Sequence, residues 1–561
     1  MVHDKYNSLH YLIAMLKAYG INTIVASPGT QNSCFNYLVQ EDNYFRCFSV
    51  LDERSAAYIA SGLIHESNKP VVITCTGATA SRNYLSAMTE AFYRRIPIIA
   101  LTFIDAEANK YNMHAQYLDR SVTQNDVKYE SIQLPPINSE RDIKDTLTFL
   151  NAAFSRAVYN KEPIHIDSPS TFSYSAVDEL PNVWKTEVFD ENFELSETEF
   201  LNKKTAIFIG SHDRFSKETE HAISEFAQKL NIPVFCDNTS NYYGDKRILI
   251  SKLSIMQRFK NYPDLIIDIG NVTGEYGHLP LFKKAKLWRI DKFGEFKNRA
   301  DRPLLKLFRC CEKTFFDNIR TVNLVKSTYY DEIKELSDNI VLPDLPLSNA
   351  LISQELAKNI PNDSSLHVSI LNSLRNINFF DFDKSIDINC NVGGFGIDGP
   401  VSTLIGQSLN NINKKCFGLI GDTAFFYDMN VIGNRHVKNN VRILLVNNAK
   451  SVEFRLPIHV CQRTIGDKAD ELIAAANHNK GGAKGWAESC GFEYITSNTK
   501  EDFLSKISDF CKKDFDKPVL FEVYISTIEE QEGLEKIIKE NKDPLEEGLI
   551  DIYHKVKKII N

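Results

Sequence analysis

Short runs of β-branched and aromatic residues alternate with amphipathic stretches along this 561-residue chain, the pattern made by parallel sheets with crossover helices. The first series predicts a strand over 23–26, a helix over 52–67, a strand over 70–75, a helix over 81–94 and a strand over 96–101, closing near 163–167. In the helix over 52–67, Ala56, Ile59, Ala60 and Leu63 recur at spacings of three and four and give one apolar face. Residues 180–198 turn acidic and irregular and read as a linker. A second series predicts strands over 206–210, 233–236, 264–269 and 286–290, with a helix over 218–230. A break around 339–348, interrupted by Pro343 and Pro346, precedes strands over 366–370, 416–420, 441–446 and 518–523. The tail beyond Ile528 is charged and helical and is expected on the outside. The periodicity therefore gives an α/β protein of three domains with mostly parallel sheets flanked by helices: 1–180, 195–340 and 345–530, with a helical extension over 531–561.

Composition narrows the class. With 43% hydrophobic and 25% charged residues, 25 Gly and 19 Pro, the chain is neither collagen-like, coiled-coil nor disordered. A net charge of −8 without long blocks of one sign argues against nucleic acid or an anionic membrane as partner. The 11 cysteines include no C-x-x-C pair and read as scattered reduced thiols. No apolar run approaches membrane-spanning length, and the N-terminus lacks the basic start of a signal peptide, so a cytoplasmic location is expected.

Candidate chemistry begins at Gly421-Asp422-Thr423, which follows the apolar run CFGLI; a second apolar run, VRILLV, ends in Asn447-Asn448. The 26 residues from Asp422 to Asn448 are enough for a strand–helix–strand crossover. That would set a carboxylate and an amide carbonyl side by side at the carboxyl ends of neighbouring parallel strands, where open α/β sheets bind ligands. Hard oxygen donors of this kind suit Mg²⁺. Singly, each dipeptide also reads as a strand-end turn with Asp capping the next helix. Asp52-Glu53-Arg54 opens a helix, where acidic residues are favoured by the dipole and by themselves imply no chemistry.

Taken together these segments resemble the thiamine-diphosphate enzymes of the pyruvate decarboxylase superfamily, and within it the 2-succinyl-5-enolpyruvyl-6-hydroxy-3-cyclohexene-1-carboxylate synthases of the menaquinone pathway. The resemblance rests on SPGT at 27–30, DERSAA at 52–57, CTGATA at 75–80, EPIHIDSP at 162–169, GIDGPVST at 396–403, GDTAFFYDMN at 421–430 and VNN at 446–448. These follow in family order over roughly residues 10–525, while the middle series and the tail match weakly. The resemblance implies thiamine diphosphate and Mg²⁺ as cofactors. It makes Glu53 the acid that hydrogen-bonds the aminopyrimidine ring and favours the tautomer that takes the thiazolium proton. It assigns Mg²⁺ to Asp422, Asn448 and the backbone carbonyl of Lys450. It assigns the phosphates to the backbone of Gly421, Thr423 and Ala424, and further cofactor contacts to Pro28, Gly29, Thr30 and Thr79. Residues Phe395, Gly396 and Ile397 would support the bent cofactor. A homodimer or homotetramer is implied, because in this superfamily the cofactor lies between the first domain of one subunit and the third domain of another.

The sequence departs from the family where carboxylates are bound. Gln31, Asp105 and Val392 stand where the menaquinone enzymes have arginine. Gln116 is retained, while Glu453 and Arg455, flanking Phe454, replace apolar or small residues. Gln31, Gln116, Glu453, Phe454 and Arg455, with Arg82, His114 and Lys450, are the candidate substrate residues. The expected function is a carboligase that decarboxylates a 2-oxo acid and transfers the remaining acyl unit to a polar acceptor. A simple decarboxylase, a C–C lyase or 1,2-dione hydrolase, and a non-catalytic binding protein are the alternatives.

Overall fold

A computed structural model of the chain describes residues 5–104, 124–171, 173–174, 177–255, 261–274, 276–319, 325–477 and 482–541. Three parallel sheets flanked by helices carry the fold, the class that the periodicity predicts. The chain divides into two compact units, residues 1–191 with 286–309 and residues 192–285 with 310–561.

The first unit holds a six-stranded sheet in the order Arg46–Ser49, Thr23–Ala26, Val71–Thr76, Ile98–Ile104, Ile164–Pro169, Glu130–Gln133. The chain steps outward from Thr23–Ala26 to Arg46–Ser49, then returns to place Val71–Thr76 on the other side of the first strand. That reversal is a topological switch point, which opens a crevice at the carboxyl ends of the two strands. Helix Glu53–Ser67 lies close to one face of the sheet because its inward residues are small: Ala56, Ala57 and Ala60 pack with Ile73 and Ala100. The single helix expected over 81–94 is two helices, Thr79–Asn83 and Leu85–Arg94, jointed at the buried Tyr84. Helices Ser8–Ala18 and Glu140–Ser155 cover the other face. This unit also contains the parallel strands Lys286–Ile290, Leu304–Phe308 and Glu187–Phe189. The last falls inside the stretch read as a linker, where Phe189 stacks on Phe308 with ring centroids 5.1 Å apart.

The second unit holds the parallel strands Arg247–Leu249, Val234–Cys236, Thr205–Ile209 and Leu265–Ile269, adjacent in that order. It also holds a six-stranded sheet in the order Asp387–Asn389, Ser365–Val368, Cys416–Gly421, Val441–Asn447, Val519–Tyr524, Glu493–Ser497. Its outward and returning steps repeat those of the six-stranded sheet in the first unit, with the switch point between Ser365–Val368 and Cys416–Gly421. Strand Val441–Asn447 is buried along its whole length, as an apolar run in a parallel sheet should be. Its one charged side chain, Arg442, donates to the carbonyls of Asn439 and Val441 and lies over the ring of Phe515.

The tail differs from expectation. Helix Thr527–Glu540, opened by a Ser526/Glu529 capping box, inserts Leu534 and Ile537 into the core that holds Leu356, Leu374 and Phe510. Glu530 is 2% exposed and accepts hydrogen bonds from the Asn349 amide at 2.8 Å and from Asn372 Nδ2 at 2.7 Å. Its charged residues hid an apolar stripe too narrow to stand out in the sequence; residues 542–561 of the extension lie outside the described residues. Among the described residues no helix is long and apolar enough to cross a membrane. We expect Ile537→Ala to lower stability by about 2–4 kcal/mol in denaturant unfolding, as for a core isoleucine. A helix resting on the outside would lose less than about 0.5 kcal/mol.

Candidate active site

In the first unit the loop over 27–31 leaves strand Thr23–Ala26 at the switch point. Asn32, fully buried, staples it: Oδ1 accepts from the Gly29 amide at 2.9 Å and Nδ2 donates to the Ser27 carbonyl at 3.0 Å. A Cβ at Gly29 would run into Cγ2 of Thr76, so a glycine is required for the loop to close on the end of the neighbouring strand. Gln31 Oε1 accepts from the Gly77 amide at 3.2 Å and ties the two strand ends together. Pro28, Gly29 and Thr30 thus sit beside the loop that leads to Thr79, the exposed first residue of helix Thr79–Asn83.

Glu53 is the first residue of helix Glu53–Ser67, whose N-cap Asp52 accepts from the Arg54 amide at 3.2 Å and from Ser55 Oγ at 2.6 Å. Glu53 is half-buried, and Asn83 Nδ2 donates to its Oε2 at 3.4 Å. Burial holds the nearby Tyr84 phenol well above its usual range, with the charge of Glu53 among the smaller contributions. Arg82 is exposed and lines a cavity of about 210 Å³ with Tyr84, Thr102, Lys128 and His165. His114 and Gln116, together with Asp105, lie outside the described residues.

In the second unit Asp422 is the first residue of helix Asp422–Asp428 and is 5% exposed. Gly421 pairs in register with Val446, so the chain beyond Val441–Asn447 emerges beside Asp422. Ala449 takes a left-handed conformation (φ 59°) at this turn. Burial pushes the Asp422 carboxyl up to about 6, opposed by the amides of Thr423, Ala449 and Lys450 and by the Thr423 hydroxyl. The Thr423 amide donates to Asp422 Oδ1 at 2.7 Å. Asn448 is half-buried, its Oδ1 accepting from the Lys450 amide at 3.3 Å. A buried carboxylate opposed only by hydrogen-bond donors, next to an amide oxygen and turn backbone, is a set of hard oxygens. It fits Mg²⁺ carrying a diphosphate.

Two of the amides that the resemblance gives to phosphate have acceptors within the chain: that of Thr423, as above, and that of Gly421, which donates to Ser369 Oγ at 3.1 Å. Ala424 is buried on the same helix. In the loop over 393–397, Phe395 (φ 54°) packs on the core containing Val392, and Ile397 packs on the core around Phe425. Gly396 is held against Asp398, where a Cβ would collide with Oδ1. Val392 is itself a core residue.

The charged candidates are engaged with their own unit. Lys450 Nζ pairs with Asp470 at 2.7 Å. Arg455, buried, donates from Nε to Gln462 at 2.8 Å and pairs with Asp470 at 2.5 Å and with Asp467. Glu453 accepts two hydrogen bonds from Arg375, both at 2.9 Å. Phe454 meets His459 edge-to-face at 5.2 Å. Sequence reasoning missed Ser369, Arg375 and Asp470. Arg375 had a signal, since it lies five residues past a predicted central strand, at the end where ligands bind. Asp470 had none.

Residues 7–129 match the family model described as thiamine pyrophosphate enzyme, N-terminal TPP binding domain, a span that includes Gly29, Glu53 and Thr79. Similar proteins named 2-succinyl-5-enolpyruvyl-6-hydroxy-3-cyclohexene-1-carboxylate synthase span most of the chain. The protein from Flavobacterium johnsoniae is 26% identical over 96% of this chain and 100% of its own length. The one from Flavobacterium psychrophilum is 28% identical over 90% and 96%, and the one from Listeria innocua 26% over 78% and 82%.

The raised Asp422 carboxyl predicts the pH dependence of the metal-free protein. Its folded-state value, about 6, exceeds the unfolded 3.8, so the folded state binds more protons between these values. Stability should fall as pH rises from 4 to 6 by on the order of 3 kcal/mol and stay lost above that. Asp422→Asn should abolish this dependence and raise the melting temperature at pH 7.5, as measured by unfolding across pH. Mg²⁺ affinity should run the other way and weaken below pH 6.

Proposed function

We propose, for a chain that is a thiamine-diphosphate-dependent enzyme, that it is a carboligase: it decarboxylates a 2-oxo acid and transfers the remaining acyl unit to a polar acceptor. The observation that carries this reading is the buried Asp422 at a switch point, opposed only by hydrogen-bond donors, in a chain whose full-length relatives bear a synthase name. The side chains of Asp422 and Asn448 with the Lys450 carbonyl would hold Mg²⁺ and through it the diphosphate. Glu53 would hold a proton against the aminopyrimidine ring, with Pro28, Gly29, Thr30 and Thr79 beside it. When bound, the cofactor supplies an electron sink for the charge left as CO₂ departs. The chain's own work is to orient two substrates and to keep water from the site until the acceptor arrives.

The active unit we propose is a homodimer or a pair of dimers, built from a pyrimidine-binding domain over 1–180, a central domain over 195–340 and a diphosphate-binding domain over 345–530. Helix Glu53–Ser67 and the turn before it leave Leu51, Tyr58 and Ile59 exposed, an apolar patch beside Glu53 for another copy to cover. The eleven cysteines are all free, which suits a reducing compartment such as the cytoplasm.

Calorimetry with Mg²⁺ should show thiamine diphosphate binding; none would end this reading. Glu53→Gln should retain binding and lose at least about a hundredfold in turnover, the range of general acid–base contributions. A panel of 2-oxo acids, with and without acceptors, should release little aldehyde until an acceptor is added. Rapid aldehyde release without one would make the chain a simple decarboxylase. With Gln31 tied to Gly77 and Val392 in the core, loss of isochorismate with 2-oxoglutarate should be negligible in ultraviolet assays.

A further inference from the structure

Arg375 and Glu453 form a bidentate pair over the carboxyl edge of the C-terminal sheet. Arg375 belongs to helix Asn372–Ile377, entered through Leu371 (φ 66°) directly after strand Ser365–Val368. Glu453 lies in the short turn Val452–Arg455, after strand Val441–Asn447. These two strands flank Cys416–Gly421, whose end carries Asp422, so the pair reaches from one flanking strand to the other across the metal-facing end. Each guanidinium nitrogen, Nη1 and Nη2, donates to its own carboxylate oxygen. The side chains are 11% and 15% exposed, so the pair is not sealed in the core.

Two parallel bonds are the geometry in which a guanidinium takes the carboxylate of a ligand. The turn that presents Glu453 is anchored without Arg375. Lys450 pairs with Asp470, Arg455 with Asp467 and Asp470, the Ser451 amide donates to the Ala474 carbonyl at 2.8 Å, and Gln531 donates to the Arg455 carbonyl. On its other side Arg375 lies within electrostatic reach of the buried Glu530. The turn is therefore braced already, and the ion pair sets the charge of the crevice.

We propose that Glu453 is an internal carboxylate that fills the fork of Arg375 and thereby restricts the donor to monocarboxylic 2-oxo acids, those whose only carboxylate is the one that leaves as CO₂. The proposal rests on the carboligase reading. With Glu453 in place, a second carboxylate on the donor meets a neutralised cation and a like charge.

The test uses the protein loaded with thiamine diphosphate and Mg²⁺, and glutarate as an unreactive dicarboxylate. By calorimetry, Glu453→Ala should bind glutarate at least about tenfold more tightly than the parent protein, a gain of about 1.4 kcal/mol. Glu453→Ala combined with Arg375→Met should lose that gain. The kcat/KM ratio for 2-oxoglutarate against 2-oxobutanoate should rise by a similar factor in Glu453→Ala, with cofactor affinity unchanged. Glu453→Gln, which keeps the side chain's shape, gives the same readouts should Ala impair folding. Unchanged glutarate binding in variants that still bind cofactor would overturn the proposal. Weakened cofactor binding without any gain for glutarate would also overturn it, marking the pair as a brace for the metal turn. Failure of the parent protein to bind cofactor is a separate result and would defeat the carboligase reading itself.

Discussion

A carboxylate removed from water at the end of a central strand costs several kcal/mol unless a cation meets it. Asp422 is in that position, opposed by amides and a hydroxyl that offset only part of the cost. Hydrogen bonds orient the carboxylate, but they do not supply the positive charge. The surrounding structure makes the arrangement tolerable: a sheet whose neighbouring strands are buried throughout, Ser369 holding the Gly421 amide, and a left-handed residue at Ala449 that turns backbone toward the acid. The dication we propose would complete such a site, and the sheet would hold its oxygens in place for it.

The same strand order occurs in the six-stranded sheets of both units. In each, the first strand has a later strand on either side, and loops leaving adjacent carboxyl ends diverge to form a crevice. In the first unit the crevice is narrow, with Gly29 against Thr76 and Gln31 bound to Gly77. Glu53, one strand outward, stands at a helix start where the dipole favours its charge. One topology thus serves both sheets; in the function we propose, one would hold a proton near a ring and the other a metal near phosphate, as the residues at the strand ends decide.

Most of this framework was legible because it depends on periodicity and on residues close in sequence. Apolar runs such as CFGLI and VRILLV are buried throughout and cannot be mistaken for surface. Asp422 and Asn448 stood out because each follows such a run. The break at Tyr84, the strand Glu187–Phe189 and the inward stripe of Leu534 and Ile537 were not legible, since each is decided by tertiary packing that overrides a weak local pattern. Lys450 and Arg455 looked like cations available to a substrate. Their acids, Asp467 and Asp470, are 12 to 20 residues away in sequence and reach them only because the chain over 459–477 folds back on the turn.

These pairings determine the charge at the carboxyl edge of the C-terminal sheet. Lys450, Arg455 and Arg375 would, if unpaired, make it an anion receptor. Asp470, Asp467 and Glu453 neutralise them, and Asp422 is left with no counter-ion side chain among the described residues, as is the buried Glu522, which accepts from Asn447, the Ala483 amide and Tyr494. In the function we propose, an edge of that kind would attract a divalent cation, and a diphosphate would follow the cation rather than a cluster of arginines. Discrimination among organic anions must then come from shape and from which acid occupies which guanidinium. Glu453, held on a turn braced by other pairs, is placed to perform that discrimination.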